Sequence, residues 1–208
     1  MRFTVLTVFI LLMGFSGDSF GQADSSLQHR RNFSIFGDAV FPVGPFASTS
    51  GRNASYATLG YGFGVCLTSD VAPHVEVGFD AAFTSPGIDE HTIQEQIEAA
   101  TGIKDATINA GRWKLISVFG NLGLNTEFLG NVRLYVRGKL GGVYTITPSI
   151  SQQRSHSNIG AGMGVGFRDN RFDVGLHFFT AFGDDFTSNV NFTQPPSVIQ
   201  LRFGIILS

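Results

Sequence analysis

A row of alternate glycines, Gly160, Gly162, Gly164 and Gly166, is the part of the sequence that comes closest to a cofactor-binding motif. Dinucleotide-binding loops place Gly-x-Gly-x-x-Gly between a strand and a helix, where backbone N–H groups meet the pyrophosphate. Here the glycines recur at every second residue inside one strand-like segment. We interpret them as small residues on one face of a strand, so the sequence predicts no cofactor.

Two groups of titratable residues could hold a metal ion or act as an acid and a base. His74, Glu76 and Asp80 share one face of a predicted strand, and Asp173 and His177 share a face of another. Metal sites usually draw their ligands from several elements, and buried ion pairs explain such residues equally well. The sequence therefore identifies no catalytic, cofactor-binding or metal-binding residue, and we predict that the protein is not an enzyme.

His156-Ser157 and Cys66 are the remaining residues with chemical potential. Barrel enzymes that act on lipids carry catalytic residues at strand mouths, but neighbouring residues on a strand point to opposite faces. A lone cysteine excludes an internal disulfide, and we interpret Cys66 as a small buried residue.

The elements that would position these residues are strands, because period-two alternation dominates the chain after Arg31. In the clearest strand, Leu59, Tyr61 and Phe63 lie on one face and alternate with small residues on the other. In the fourth strand, Leu115 and Phe119 fall on the otherwise polar face, so its register stays open. The eight predicted strands are Asn32–Phe41, Ala57–Thr68, His74–Phe83, Lys114–Leu124, Asn131–Tyr144, Ser157–Arg168, Arg171–Phe182 and Ser197–Leu207.

Short and long connections alternate along the chain, which is typical of an outer-membrane barrel with periplasmic turns and longer exterior loops. The segment 1–21 begins with Arg2, continues through an apolar run to Phe15 and ends in small residues. This layout predicts a secretory signal peptide, with 22–208 as the outer-membrane β-barrel domain. A net charge of −2 gives no electrostatic case for nucleic acid.

Alternation alone fits either a soluble or a membrane barrel, and composition decides between them. The chain is 14% charged and contains 26 Gly and 21 Phe. One face is almost uniformly apolar, and an eight-stranded interior is too narrow to hold it. We therefore expect this face to meet lipid. The other face combines glycines with the charged residues Asp38, Glu76, Asp80, Arg133, Arg137, Lys139, Arg168, Asp173 and Arg202. We expect Asp38 to form an ion pair with Arg202. We also expect Glu76 and Asp80 to form ion pairs with Arg133 and Arg137.

The segments FSIFGDAVFPVGPFAS (33–48), WKLISVFGNLGLNTEF (113–128) and VIQLRFGIIL (198–207) are similar to the first, middle and last strands of a known family. The chain resembles the small bacterial outer-membrane β-barrel proteins, the OmpX-like and OmpA-transmembrane-domain-like group. The resemblance implies an all-β, eight-stranded antiparallel up-and-down transmembrane barrel in the bacterial cell outer membrane. It also implies outer-membrane lipid, and the barrel-insertion machinery during biogenesis, as partners. Trp113, Tyr56 and Tyr144 are predicted to lie near the outer rim.

One short helix, Thr92–Gly102, is predicted in an exterior loop, because Thr92 and Glu95 have capping-box spacing and Gly102 can end it. The favoured function is a structural or surface-interaction barrel that binds an unknown surface partner through its exterior loops. The alternative is a narrow pore or a lateral transport barrel for small or hydrophobic compounds. A lipid-modifying barrel enzyme and a secreted lipocalin-like binder are further possibilities. A closed, ion-paired interior would favour the first function, and a continuous polar channel the second.

Overall fold

The structure is a computed structural model that describes residues 31–50, 54–103, 110–130, 132–148, 155–182 and 195–207. In these residues eight antiparallel strands form a closed barrel, in which each strand pairs with its neighbours in sequence and the last pairs with the first. This confirms the predicted fold class. The strands are β1 (Arg31–Pro42), β2 (Ala57–Ala72), β3 (Val75–Ile88), β4 (Lys114–Leu129), β5 (Val132–Ile146), β6 (Ser155–Arg168), β7 (Phe172–Phe182) and β8 (Ser197–Ile206).

The short connections β2–β3, β4–β5 and β6–β7 lie at one end of the barrel, here called the turn end, and the long ones lie at the other, the loop end. Several strands are longer than predicted. β2 and β4 continue further toward the turn end, and β3 continues through Pro86 to Ile88. The register of β2 against β3 shifts between Thr58 and Tyr61, where the simple alternation of β3 also ends.

The barrel exterior is apolar and its interior is polar over much of its length, the reverse of a soluble protein. Leu122 and Leu140, for example, are 63% and 66% exposed, whereas Arg137 is 1% exposed. Exposed leucine, valine, isoleucine and phenylalanine side chains cover the outward face of every strand. An exterior of this kind matches hydrocarbon rather than water.

The loop after β3 contains the helix α1 (Glu90–Thr101). The predicted cap was wrong: Asp89, not Thr92, is the N-cap, and its carboxylate accepts the N–H of Thr92 at 3.0 Å. Gly102 ends the helix in the left-handed region at φ 72°, as predicted. No helix in the described part of the chain has the length and apolar character that a membrane crossing requires. The predicted signal peptide, 1–21, lies outside the described residues.

A single 3₁₀ turn, Gly44–Ala47, follows β1 and was not predicted. Pro45 supplies the fixed φ with which such a turn begins, and four residues are too few to produce a helical period. The turn directs Phe46 into the barrel mouth, where the side chain is fully buried.

Candidate functional site

The interior nearest the turn end holds an ionic ring of four side chains, Glu76, Arg137, Arg168 and Asp173. Arg137 Nε donates to one carboxylate oxygen of Glu76, and Arg168 Nη1 donates to the other at 3.2 Å. Asp173 Oδ2 lies 2.9 Å from Arg168 Nη2 and 3.8 Å from Arg137 Nη2. Each cation thus touches both anions, and all four side chains are buried.

Tyr135 packs beside the ionic ring and explains part of the glycine row. Its hydroxyl donates to Asp173 Oδ1 at 2.7 Å, and the Arg137 guanidinium lies 3.9 Å from its ring centroid. A Cβ added at Gly166 or Gly175 would lie 2.6 Å or 2.5 Å from the tyrosine oxygen. The glycines leave the space that this aromatic side chain occupies.

An ionic chain of Lys139, Asp80, Arg202 and Asp38 lies nearer the middle of the barrel. Lys139 Nζ contacts Asp80 Oδ2 at 2.5 Å, and Arg202 Nη1 contacts the same oxygen at 3.4 Å. Arg202 Nε also donates to Asp38 Oδ1 at 3.0 Å, and this contact joins β8 to β1. The guanidinium lies 3.3 Å from the ring centroid of Phe36.

The structure forms two of the predicted ion pairs and reassigns the others: Asp80 pairs with Lys139 and Arg202 and not with Arg133 or Arg137. Asp38 meets Arg202, and Glu76 meets Arg137. Arg133 does not reach Glu76 or Asp80; it pairs at 2.7 Å with Asp70, which the sequence placed in a turn. The stagger between strands, which the sequence does not reveal, decides these partners.

The predicted histidine groups do not form a metal site. His74 is an exposed turn residue at φ 66°, and its Nδ1 lies 3.1 Å from the carbonyl oxygen of Asn125, away from Glu76 and Asp80. His177 is buried inside the barrel, and its Nε2 lies 3.4 Å from the hydroxyl that Tyr135 shares with Asp173. Within the described residues, no three His, Cys, Asp or Glu side chains are grouped so that they could hold a metal ion.

The interior nearest the loop end holds a cluster of apolar side chains, and this explains the irregular fourth strand. Leu115 and Phe119 are buried inside the barrel, where Phe119 meets Phe179 with 5.5 Å between ring centroids. The register left open by the sequence is thus the one in which Leu115 and Phe119 face inward. This apolar plug consists of Val40, Phe46, Ala57, Trp113, Leu115, Phe119, Val143, Phe179, Ala181 and Val198.

Described residues of the first two loops cover the apolar plug at the mouth of the barrel. Trp113 packs edge-on against Phe46 at 5.0 Å, and its Nε1 donates to Ser55 O at 3.2 Å. Tyr56 donates to Gln96 Oε1 of α1 at 2.5 Å, which ties the first loop to the helix. Trp113 and Tyr56 are therefore buried residues of the mouth, and the prediction that they lie at the outer rim was wrong. Tyr144, the third aromatic residue predicted there, is 40% exposed.

No protein-family model matches this chain, and no curated protein matches it either. Among solved structures it is similar to neisserial surface protein A, NspA, with a TM-score of 0.53 and 10% identity over 85% of this chain and 96% of that one. Ail of Yersinia pestis, in complex with the heparin analogue sucrose octasulfate, gives a TM-score of 0.46 and 16% identity over 87% and 100%. The N-terminal barrel domain of Pseudomonas aeruginosa OprF gives 0.44 and 12% over 86% and 100%.

The chain has the fold of an eight-stranded outer-membrane β-barrel. Within this fold the interior charges balance among the described residues. The cations are Arg133, Arg137, Lys139, Arg168 and Arg202, and the anions are Asp38, Asp70, Glu76, Asp80 and Asp173. In the part of the chain that the structure describes, each of these interior charges therefore has a partner of opposite sign.

Outside the membrane-spanning strands, two aspartates are fixed by backbone donors. Asp89 accepts the N–H and the hydroxyl of Thr92, and these bonds lower the pKa of its carboxyl group. Asp169 accepts the N–H groups of Arg171 and Phe172, both at 2.6 Å, which lowers its pKa as well. Both carboxylates organise connections between strands, one at each end of the barrel.

Proposed function

We propose that this protein is a closed outer-membrane barrel of structural or surface-interaction type, without an aqueous channel and without enzymatic activity. The observation that carries the proposal is the filled interior. From the turn end to the loop end, the ionic ring, the ionic chain and the apolar plug follow one another. Arg137, Lys139 and Trp113, one from each layer, are 1%, 6% and 0% exposed.

A narrow pore is the main alternative, and the geometry of small barrels argues against it. Eight strands enclose about the volume that their own inward side chains fill, whereas aqueous porins use about 16 strands or more. The inward arginine, lysine and aromatic side chains of this protein are large enough to fill that volume. Among the described residues, the buried inward carboxylates Asp38, Glu76, Asp80 and Asp173 are each engaged by an arginine or a lysine, which supports a non-enzymatic role.

In this proposal the loop end is the part of the protein that binds a surface partner. The first loop and α1 form one folded cap, joined by the Tyr56–Gln96 hydrogen bond and by the packing of Ile93 against Ala54 and Tyr56. This cap keeps Glu90, His91 and Glu95 exposed to solvent. Long ordered loops on a rigid barrel are common positions for binding residues.

Single-channel recording tests the closed interior. The refolded wild-type protein in a planar bilayer should give no large, stable currents. The variant Phe46→Ala/Trp113→Ala removes two plug side chains, and it should also remain closed because the ionic ring and chain still fill the rest of the interior. Large, stable currents from the wild-type protein would contradict the proposal.

Loop shortening tests the surface role. Residues 88–110 are replaced by a short Gly-Ser connection, and folding is checked by the different gel migration of boiled and unboiled samples. The variant should fold as a barrel but lose attachment of the cells that carry it to host-cell surfaces. A variant in which Asn170 of the turn end is replaced by Gly is the control. Attachment that survives the loop shortening would argue against the loops.

A further inference from the structure

Two side-chain amides inside the barrel differ in whether the protein itself satisfies them. Gln200 of β8 is 2% exposed, and its Nε2 donates to Thr84 Oγ1 at 3.3 Å. Asn121 of β4 is 7% exposed, and neither its Oδ1 nor its Nδ2 has a hydrogen-bond partner among the described residues. A buried amide without a partner costs free energy, and buried polar groups that lack a protein partner commonly bind ordered water.

The ionic ring lies on the turn-end side of Asn121. Its pair of Glu76 on β3 and Arg137 on β5 crosses β4 over Gly123, which pairs with both residues. A Cβ added at Gly123 would lie 2.9 Å from the Cγ atom of each of these side chains. Asn121 is the next inward residue of β4 toward the loop end, so its side chain starts one inward position above this crossing.

The ionic chain crosses β4 on the other side of Asn121. Lys139 of β5 pairs with Asn121, and Asp80 of β3 pairs with Phe119. The contact between Lys139 Nζ and Asp80 Oδ2 therefore joins β5 to β3 across the segment between Asn121 and Phe119. This contact uses one of the three donors of the ammonium group. The Asn121 amide thus lies between two ion pairs, and the cation of the nearer one has donors to spare.

The space beside Asn121 restricts the size and the charge of a ligand. Asn121 pairs with Gly78 of β3, where an added Cβ would lie 2.7 Å from Thr68 Cγ2, so that side is already filled. Phe119 closes the side toward the loop end with apolar atoms. The carboxylates of both crossings are already paired, and an added ion would be an uncompensated buried charge. A ligand here must therefore be small, neutral and able both to donate and to accept hydrogen bonds.

We propose that the Asn121 amide and the Lys139 ammonium bind ordered water between the ionic ring and the ionic chain. A water oxygen accepts an N–H of either group, and a water proton can be donated to Asn121 Oδ1. Buried waters typically make about three hydrogen bonds to polar groups that are otherwise unsatisfied. The inference goes beyond the proposed function, because it concerns the interior and not the surface of the loop end.

A crystal structure of the refolded full mature chain, at a resolution that shows ordered water, tests the site. We expect a density peak at about 2.7–3.2 Å from a polar atom of the Asn121 amide and at a similar distance from Lys139 Nζ. The lack of such a peak, or a rotated amide that hydrogen-bonds directly to Lys139, would overturn the proposal. An anomalous signal at the peak in crystals soaked in bromide would overturn water as the ligand.

The variant Asn121→Leu tests the amide, because leucine removes the polar atoms and keeps a side chain of similar size. Its folding is checked by the different gel migration of boiled and unboiled samples. The folded variant should lose the peak. Gln200→Leu is the matched control, because it removes a buried amide that the protein itself satisfies, and it should keep the peak. A peak that persists in Asn121→Leu would contradict the role of the amide.

Nuclear magnetic resonance tests the same water in solution and needs no variant that must fold. In the isotope-labelled wild-type protein, the Asn121 Nδ2 protons should show a cross-peak with a water of long residence time. Without that cross-peak the water site would be refuted, while the closed interior of the proposed function would still stand. A continuous row of water from one end of the barrel to the other would contradict both.

Discussion

The two halves of the barrel interior are filled by opposite means. The half nearest the turn end contains the ionic ring and the ionic chain, in which each side chain depends on specific partners. The half nearest the loop end contains the apolar plug, which resembles the core of a small soluble protein. The difference teaches that the place of a residue in the strand, and not the polarity of its side chain, decides whether it faces the interior.

The two halves should also respond differently to substitution. Removing one member of a buried ion pair leaves an uncompensated charge, whose cost depends on its partners. Removing atoms from the apolar plug leaves a cavity, whose cost depends on volume. Single substitutions in each half can therefore separate the two kinds of cost.

Arg202→Ala should be the most damaging, because it leaves both Asp38 and Asp80 without the guanidinium that they share. We expect the free energy of unfolding to fall by about 3–5 kcal/mol. The urea midpoint of the protein refolded in vesicles is the measurement. Arg171→Ala, at an exposed turn residue, should shift that midpoint little. An unchanged midpoint for Arg202→Ala would contradict the ionic half of the comparison.

Phe119→Ala tests the apolar half. Phe119 packs against Phe179 and lies beside Gly160, where an added Cβ would come within 3.1 Å of its ring. We expect the cavity left by the ring to lower the free energy of unfolding by about 3 kcal/mol. Phe119→Leu keeps most of the volume and should cost about 1 kcal/mol in the same urea titration. If both variants lost the same stability, volume would not be the controlling property.

Asp89→Ala should have the smallest effect, confined to the cap. Loss of an N-cap carboxylate costs about 1 kcal/mol of helix stability, measurable as faster amide hydrogen exchange at Ile93 and Ile97. Because its folded-state pKa is lowered, the carboxylate stabilises α1 fully above the unfolded value, near 3.9, and loses this effect as pH falls through the folded value. The protection of the Ile93 and Ile97 amides from exchange should therefore decline in that acidic range in the wild-type protein. In Asp89→Ala this protection should depend less on pH. Glu95→Ala, at an exposed helix residue, is the control.

Much of the fold could be predicted from the sequence because the outward face is uniform. Lipid accepts apolar side chains almost everywhere, so Leu59, Phe63 and their neighbours reveal each strand by simple alternation. The inward face is not uniform. Leu115 and Phe119 belong to it as much as Arg137 does, and a rule based on polarity alone misassigns them.

The partners of the interior charges and the closure of the mouth could be predicted only in part. Asp38 and Arg202 could be matched because the first and last strands must meet, whereas Arg133 required the register of β5 against its neighbours. Trp113 gives no sequence signal for burial, since it stands between the exposed Arg112 and Lys114. Its position depends on Phe46, which a four-residue turn places in the mouth.

The contact between Asp38 and Arg202 also sets an order of assembly. The two residues are 164 positions apart in sequence and lie on the first and last strands, so their ion pair forms only when the sheet closes on itself. Contacts of such long sequence separation are slow to form. Until β8 pairs with β1, the Asp38 carboxylate lacks the Arg202 guanidinium, which belongs to the strand that is synthesised last. A chain cut short before Ser197 would keep that charge unbalanced, and the final strand thus distinguishes a finished barrel from an unfinished one.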